Sequence, residues 1–275
     1  MRIHHLNCAT IRPPGAGLGG MGYGGALVCH CLLIETGGEL ILVDTGVGTA
    51  ALGDPARLGR FFLAARPALA REETAQAQIT RLGYDTADVR HIILTHLDVD
   101  HASGLGDFPD AAVHVSGAEL RTATAGPPLE RARYQPSAWA HGPRWQEHEF
   151  GGGDRWFGFE AVRPIPGVGA DIALIPLHGH TRGHVGVAVA AGGQAATPWL
   201  LHAGDAYFHH HQTDVLWPHR PPGAAAMEVV STIDAVYRRH NQRMLRRLRR
   251  DHGGEVTVFC AHDPAEMPEA GAHSR

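Results

Sequence analysis

The chain has 275 residues, 44% of them apolar, and a formal net charge of −4. That suits one large globular domain or two small ones and gives no electrostatic footprint for nucleic acid. No apolar run reaches membrane-spanning length, and Met1 to His5 begin no apolar targeting segment, so the expectation is a cytoplasmic protein acting on a small molecule, monomeric or homodimeric.

The unusual count is histidine, 21 residues against 24 lysines and arginines together, a surplus that suits a metal protein. Part of it, the run His209-His210-His211, reads as surface. The cysteines Cys8, Cys29, Cys31 and Cys260 show neither a CxxC pair nor zinc-finger spacing. Cys29 and Cys31 share one face of an apparent strand and read as small buried thiols.

In chain order, the glycine-rich stretch from Gly15 to Gly25 lacks the Lys-Ser/Thr ending of a phosphate loop and reads as a flexible loop or hairpin tip. Strands follow over 26–34 and 40–43, joined by the hairpin signal Gly37-Gly38. The second ends in Asp44-Thr45-Gly46, where Asp44 is a turn cap or a support for a metal ligand. Residues 54–82 read as helical, with Thr74 to Leu82 a second helix stopped by Gly83. A buried strand over 91–94 and a short one over 113–115 follow, with Ser116 capping a helix that holds Glu119.

Residues 123–170 carry Pro127-Pro128, Gly151 to Gly153 and several large aromatics, and read as a long loop patching the core or a lid insertion. Strands are expected over 171–177, 185–190 and 199–202, then one helix from about Ala224 to Asp251 with a solvated basic face, then a last strand over 256–260.

The organising stretch is Thr95-His96-Leu97-Asp98-Val99-Asp100-His101. Extended backbone would put positions 96, 98 and 100 on one side, and His101 joins them if the chain turns. Carboxylates crowded this closely repel unless a cation lies between them. The same event, an apolar strand running into a His or Asp, recurs at Asp44, His180, Asp205 and His262. Five such ends in a mixed α/β chain point to a shared cleft.

In order, Leu42-Val43-Asp44-Thr45-Gly46, the stretch 95–101, Gly179-His180-Thr181-Arg182-Gly183-His184, Gly204-Asp205 and Ala261-His262-Asp263 resemble the metallo-β-lactamase superfamily. The resemblance implies one αββα sandwich of two similar halves over residues 1–275, with a dinuclear metal site at the sheet edges. On these positions His96, Asp98 and His180 would hold the first metal. Asp100, His101 and His262 would hold the second, Asp205 would bridge both, and Asp44 and His184 would support the ligands. His178 reads as surface.

Asp98 departs from the commoner pattern, which has His there. A carboxylate oxygen is as many bonds from the backbone as the nearer imidazole nitrogen, so Asp98→His is expected to keep the site assembled. The oxygen donor lowers the charge of the site by one and favours iron or manganese relative to zinc, which remains the leading ion. The implied activity is hydrolysis of a carbonyl ester, above all a lactone, by hydroxide held between the metals. Asp100 would relay a proton, and Tyr207 would either donate to the developing oxyanion or pack on the sheet. The alternatives are a thioesterase similar to glyoxalase II, a phosphodiesterase, and a non-hydrolytic di-iron redox or metal-binding protein.

Overall fold

Residues 1–14, 25–168, 170–193 and 196–268 are described by a computed structural model. The glycine-rich stretch read as a loop lies outside the described residues apart from Gly25.

Twelve strands form two sheets among the described residues. The first runs in spatial order β1 (Arg2–Ile11), β2 (Leu27–Thr36), β3 (Glu39–Val43), β4 (Val89–Ile93), β5 (Ala112–Ser116) and β6 (Arg144–His148). The second holds β7 (Asp154–Trp156), β8 (Phe159–Pro164), β9 (Ile172–Pro176), β10 (Val185–Ala190), β11 (Trp199–His202) and β12 (Val256–Phe259), again in sequence order across the sheet. The hairpin between β2 and β3 turns on Gly37 and Gly38, both at positive φ (57° and 92°), where a side chain would be strained.

Strand alternation divides the apolar residues between layers. Leu32, Ile34, Ile41, Val43 and Ile93 of the first sheet meet Ile172, Leu174, Val185, Val187 and Val189 of the second, forming the core between the sheets. Their neighbours point outward. Leu33, Leu40 and Leu42 pack with Ile79 of α3 (Ala75–Arg81) and Leu120 of α5 (Gly117–Ala125). Ala173 and Ile175 pack with Leu245 and Leu248 of α8 (Ala235–His252). The result is helix, sheet, sheet, helix. Shorter helices are α1 (Thr49–Gly53), α2 (Gly59–Ala64), α4 (Val99–Ala102), α6 (Pro128–Arg131) and α7 (Pro222–Ser231).

Three expectations change. The stretch 123–170 is built into the sheets: it supplies β6 to the first and β7 and β8 to the second. Its aromatics Trp139 and Trp145 pack on the first sheet's outer core, and Trp156 and Phe157 on the second's. The helix expected from Ala224 to Asp251 is two helices. Asp234 accepts hydrogen bonds from the backbone N–H groups of Val236 and Tyr237 and so starts α8 anew. Nor is the basic run wholly solvated: Arg238 is buried, and its guanidinium donates to the carbonyl of Asp205 at 2.7 Å.

Two parallel pairs position the site. β3 and β4 are parallel neighbours, as are β11 and β12, so each pair delivers its C-terminal ends side by side. Asp44 thereby lies next to Thr95, and Asp205 next to His262.

Candidate metal centre

The described chain gathers His96, Asp98, Asp100, His101, His180, Asp205 and His262 at these strand ends. β4 ends at Ile93 and the chain bends at Thr95; Asp98 (φ −63°, ψ 152°) then stands at the N-cap of α4, which begins at Val99. Asp100 and His101 are therefore aimed by a helical turn rather than by strand alternation. The N–H of His101 closes that turn on the carbonyl of Asp98 at 3.0 Å.

Asp205 stands in the middle. Its Oδ2 lies 3.3 Å from His180 Nε2 and 4.0 Å from His96 Nε2. Its Oδ1 lies 3.1 Å from His262 Nε2 and 3.3 Å from His101 Nε2. Asp98 Oδ2 completes the first group, 3.0 Å from His180 Nε2 and 3.3 Å from His96 Nε2. Asp100 Oδ2 completes the second, 3.5 Å from His262 Nε2 and 3.9 Å from His101 Nε2.

The far side of the rings fixes which nitrogen faces inward. His101 Nδ1 donates to Asp44 Oδ2 at 2.8 Å and His262 Nδ1 donates to the carbonyl of Val28 at 2.7 Å. Thr95 Oγ1 donates to Asp44 Oδ2 at 2.7 Å and accepts from His96 Nδ1 at 3.0 Å. With a metal ion in place of the second proton, each Nε2 would present a lone pair toward Asp205. His184 acts on the backbone instead. Its Nδ1 donates to the carbonyl of Leu177 and its Nε2 accepts the backbone N–H of Asp205, both at 2.9 Å. The approach needs Gly204, at φ 51°, where a Cβ would come within 2.5 Å of His184 Nε2.

Burial dominates the electrostatics. It lowers His96 to about 4 and His180 to about 3, so both are neutral at neutral pH. Burial opposes ionisation of Asp205, yet His262, His180 and His101 hold its carboxyl well below the usual range. Burial likewise works against His101 and His262, and Asp205 overrides it, raising both.

His96 Nε2, His101 Nε2 and Asp205 Oδ1 are buried without a hydrogen-bond partner. Orphaned acceptors of this kind are costly unless a cation satisfies them, and imidazole nitrogens with carboxylate oxygens form a donor set for divalent metal ions. The residues fit a metal centre.

Tyr207 does not join the cluster. It is fully buried, its hydroxyl donates to Glu266 Oε2 at 2.8 Å, and it accepts from Arg249 Nη2 at 2.8 Å. The oxyanion role expected for it finds no support in that geometry. His178 is half-buried rather than on the surface, and its carbonyl accepts from Asn241. The run His209 to His211 is likewise only partly surface: His209 is buried and caps the 3₁₀ turn that follows it.

The contacts of Glu119 and Arg133 escaped the sequence reading, while the thiol read as buried, Cys29, lies beside the cluster. Cys29 is indeed buried, with its thiol pushed up to about 12 by burial, and its sulfur and donor atoms of Asp100 and His262 lie within 4.8 Å of one another. Glu119, wholly buried, accepts from the N–H of Leu97 at 3.0 Å and of Gly183 at 3.1 Å, stapling the two ligand loops together. Arg133 grips Asp98, with Nε 2.7 Å from Oδ1 and Nη2 bonded to Oδ2. Only Glu119 left a signal, as an acidic residue beside Leu120 on the helix that the sequence places after Ser116.

The model of the metallo-β-lactamase superfamily matches residues 24–194. A probable metallo-hydrolase of Mycobacterium tuberculosis is 43% identical over 265 residues, covering 96% of this chain and 81% of that protein. A solved N-acyl homoserine lactone hydrolase, with the product N-hexanoyl-L-homoserine at its catalytic metal centre, superposes with a TM-score of 0.69 at 19% identity, covering 96% of this chain and 94% of its own. A dizinc quorum-quenching lactonase, also with its product bound, gives 0.59 at 17% identity, covering 95% and 87%. The family match over more than half of the chain and the 43% identity to a probable metallo-hydrolase make the chain a metal-dependent hydrolase belonging to the metallo-β-lactamase superfamily.

Proposed function

We propose that the protein opens lactones with two divalent metal ions, zinc the leading choice, held at the centre described above. The observation that carries the dinuclear reading is the two-sided carboxylate of Asp205, with Oδ2 toward His96 and His180 and Oδ1 toward His101 and His262. His96, Asp98 and His180 would hold the first ion, Asp100, His101 and His262 the second, and Asp205 both. When bound, such ions acidify water and polarise a carbonyl oxygen.

The remaining work falls to the chain. Asp44 keeps the proton of His101 on Nδ1, and His184 fixes the backbone of Asp205. Asp100 is placed to carry a proton to the departing alkoxide. Without a metal, burial raises its carboxyl above the usual range, against the pull of His101 and His262. Choice of a lactone follows the likeness to the lactonase structures, whose products are ring-opened lactones.

A panel of lactones, thioesters and phosphodiesters, assayed with zinc-, manganese- and iron-loaded protein, tests the reading. The expected result is lactone opening at least about tenfold faster in kcat/KM than the other classes, a difference of about 1.4 kcal/mol. Preferential thioester or phosphodiester cleavage would replace the substrate class while leaving the metal centre standing.

A further inference from the structure

Asp98 is the ligand position at which this chain leaves the common family pattern, a carboxylate standing where a neutral imidazole is usual. A lone carboxylate there would lower the charge of the centre by one, and its two oxygens could exchange places by rotation. Arg133 answers both points. Its Nε lies 2.7 Å from Asp98 Oδ1 while Nη2 bonds Oδ2, a fork on both oxygens. The side chains are only 18% and 15% exposed. The third nitrogen, Nη1, donates to the carbonyls of His180 at 3.2 Å and Ser231 at 3.1 Å, so three separate segments fix the guanidinium. The oxygen held by Nη2 is also the one nearest His180 Nε2 and His96 Nε2, and Nη2 itself lies 3.1 Å from His180 Nε2, the nitrogen a first metal would take over from it.

We propose that Asp98 and Arg133 act as one neutral unit in the place of the family's imidazole. The carboxylate offers Oδ2 to the first metal, and the guanidinium selects that oxygen and cancels its charge. The proposal rests on the metal-centre reading above. A carboxylate at −1 and a guanidinium at +1 sum to zero, the charge of a neutral imidazole. The weakening of the first ion expected from Asp98 alone is therefore offset. The expectation for Asp98→His reverses: an imidazole at 98 would leave Arg133 a buried cation without its carboxylate, beside a divalent ion. Arg133 is a positioning residue, and its signature is coupling to position 98.

The test is a double-mutant cycle on zinc(II) affinity, measured by chelator competition on metal-free wild type, Asp98→His, Arg133→Met and the double variant. Circular dichroism checks that each is folded. With Arg133 present, Asp98→His is expected to weaken the first zinc by about 10- to 100-fold, the usual cost of disturbing a group that supports a ligand. With Met at 133, the same change is expected to cost less than about threefold. Should Asp98→His not fold, Asp98→Asn makes the same comparison, since an amide keeps the size of the side chain but cannot neutralise Arg133. Equal losses in both backgrounds would overturn the pairing alone. A folded wild type that binds no zinc(II) would overturn the metal-centre reading, and the pairing with it.

Discussion

His101 stands between two carboxylates: Nδ1 lies 2.8 Å from Asp44 Oδ2, and Nε2 lies 3.3 Å from Asp205 Oδ1. The first contact holds a proton on Nδ1, and the second shows that Nε2 faces the carboxylate of Asp205. Asp44 reaches this position at φ 56°, a left-handed conformation, held by the N–H and hydroxyl of Thr95. Although burial opposes it, the imidazole of His101 keeps the Asp44 carboxyl below its usual range.

Asp44→Asn preserves the size of the side chain but puts an amide where an ionised acceptor is needed. Zinc(II) affinity is expected to fall by about 10- to 100-fold, with the metal-free fold retained. Chelator competition measures it. Unchanged affinity would mean that the orientation of His101 does not depend on Asp44.

Tyr207 separates a structural from a catalytic role. Its hydroxyl links Glu266 and Arg249 on the helix side of the second sheet. Tyr207→Phe should cost about 1.5–3 kcal/mol of stability, the range for hydrogen bonds to charged groups, and leave kcat within about threefold. Denaturant unfolding and steady-state kinetics on the same preparation decide it. A large loss of kcat without loss of stability would return Tyr207 to the reaction.

A histidine ladder crosses the first sheet. His114 Nε2 lies 3.0 Å from His91 Nδ1, and His114 Nδ1 lies 3.1 Å from His148 Nε2. Burial, then the neighbouring His148 and His91, lower His114 from 6.5 to about 4. Between those values the unfolded chain binds a proton that the folded chain refuses, so stability is full above about pH 6.5 and falls as the pH drops toward 4. His114→Phe removes this proton. In metal-free protein, the stability of wild type relative to His114→Phe should decline from pH 7 to pH 5, as read by urea unfolding. A constant difference across that range would contradict the shift.

What the sequence made legible were groups adjoining apolar runs. Asp44, His96, Asp205 and His262 each follow a strand by a few residues, so local pattern and spatial position coincide. Arg133 was illegible because it meets Asp98 across 35 residues of chain, carried there by a segment whose glycines and prolines read as an insertion. Tyr207 could be read two ways, and the structure has it packed on the sheet: only two residues from Asp205, its side chain lies in the outer core of the second sheet, and adjacency in sequence did not become adjacency in space. The break between α7 and α8 carried a readable signal, Asp234 as a cap, overshadowed by the long basic periodicity after it.

Everything proposed for the centre depends on one bridging carboxylate and six further side chains holding two metal ions. Elemental analysis of protein purified from zinc-supplemented cells, with His96→Ala and His262→Ala in parallel, counts those ions. The expected result is about two divalent ions per chain in the wild type and about one or fewer in each variant. A folded wild type that carries no metal, or variants that hold as much metal as the wild type, would refute the dinuclear centre.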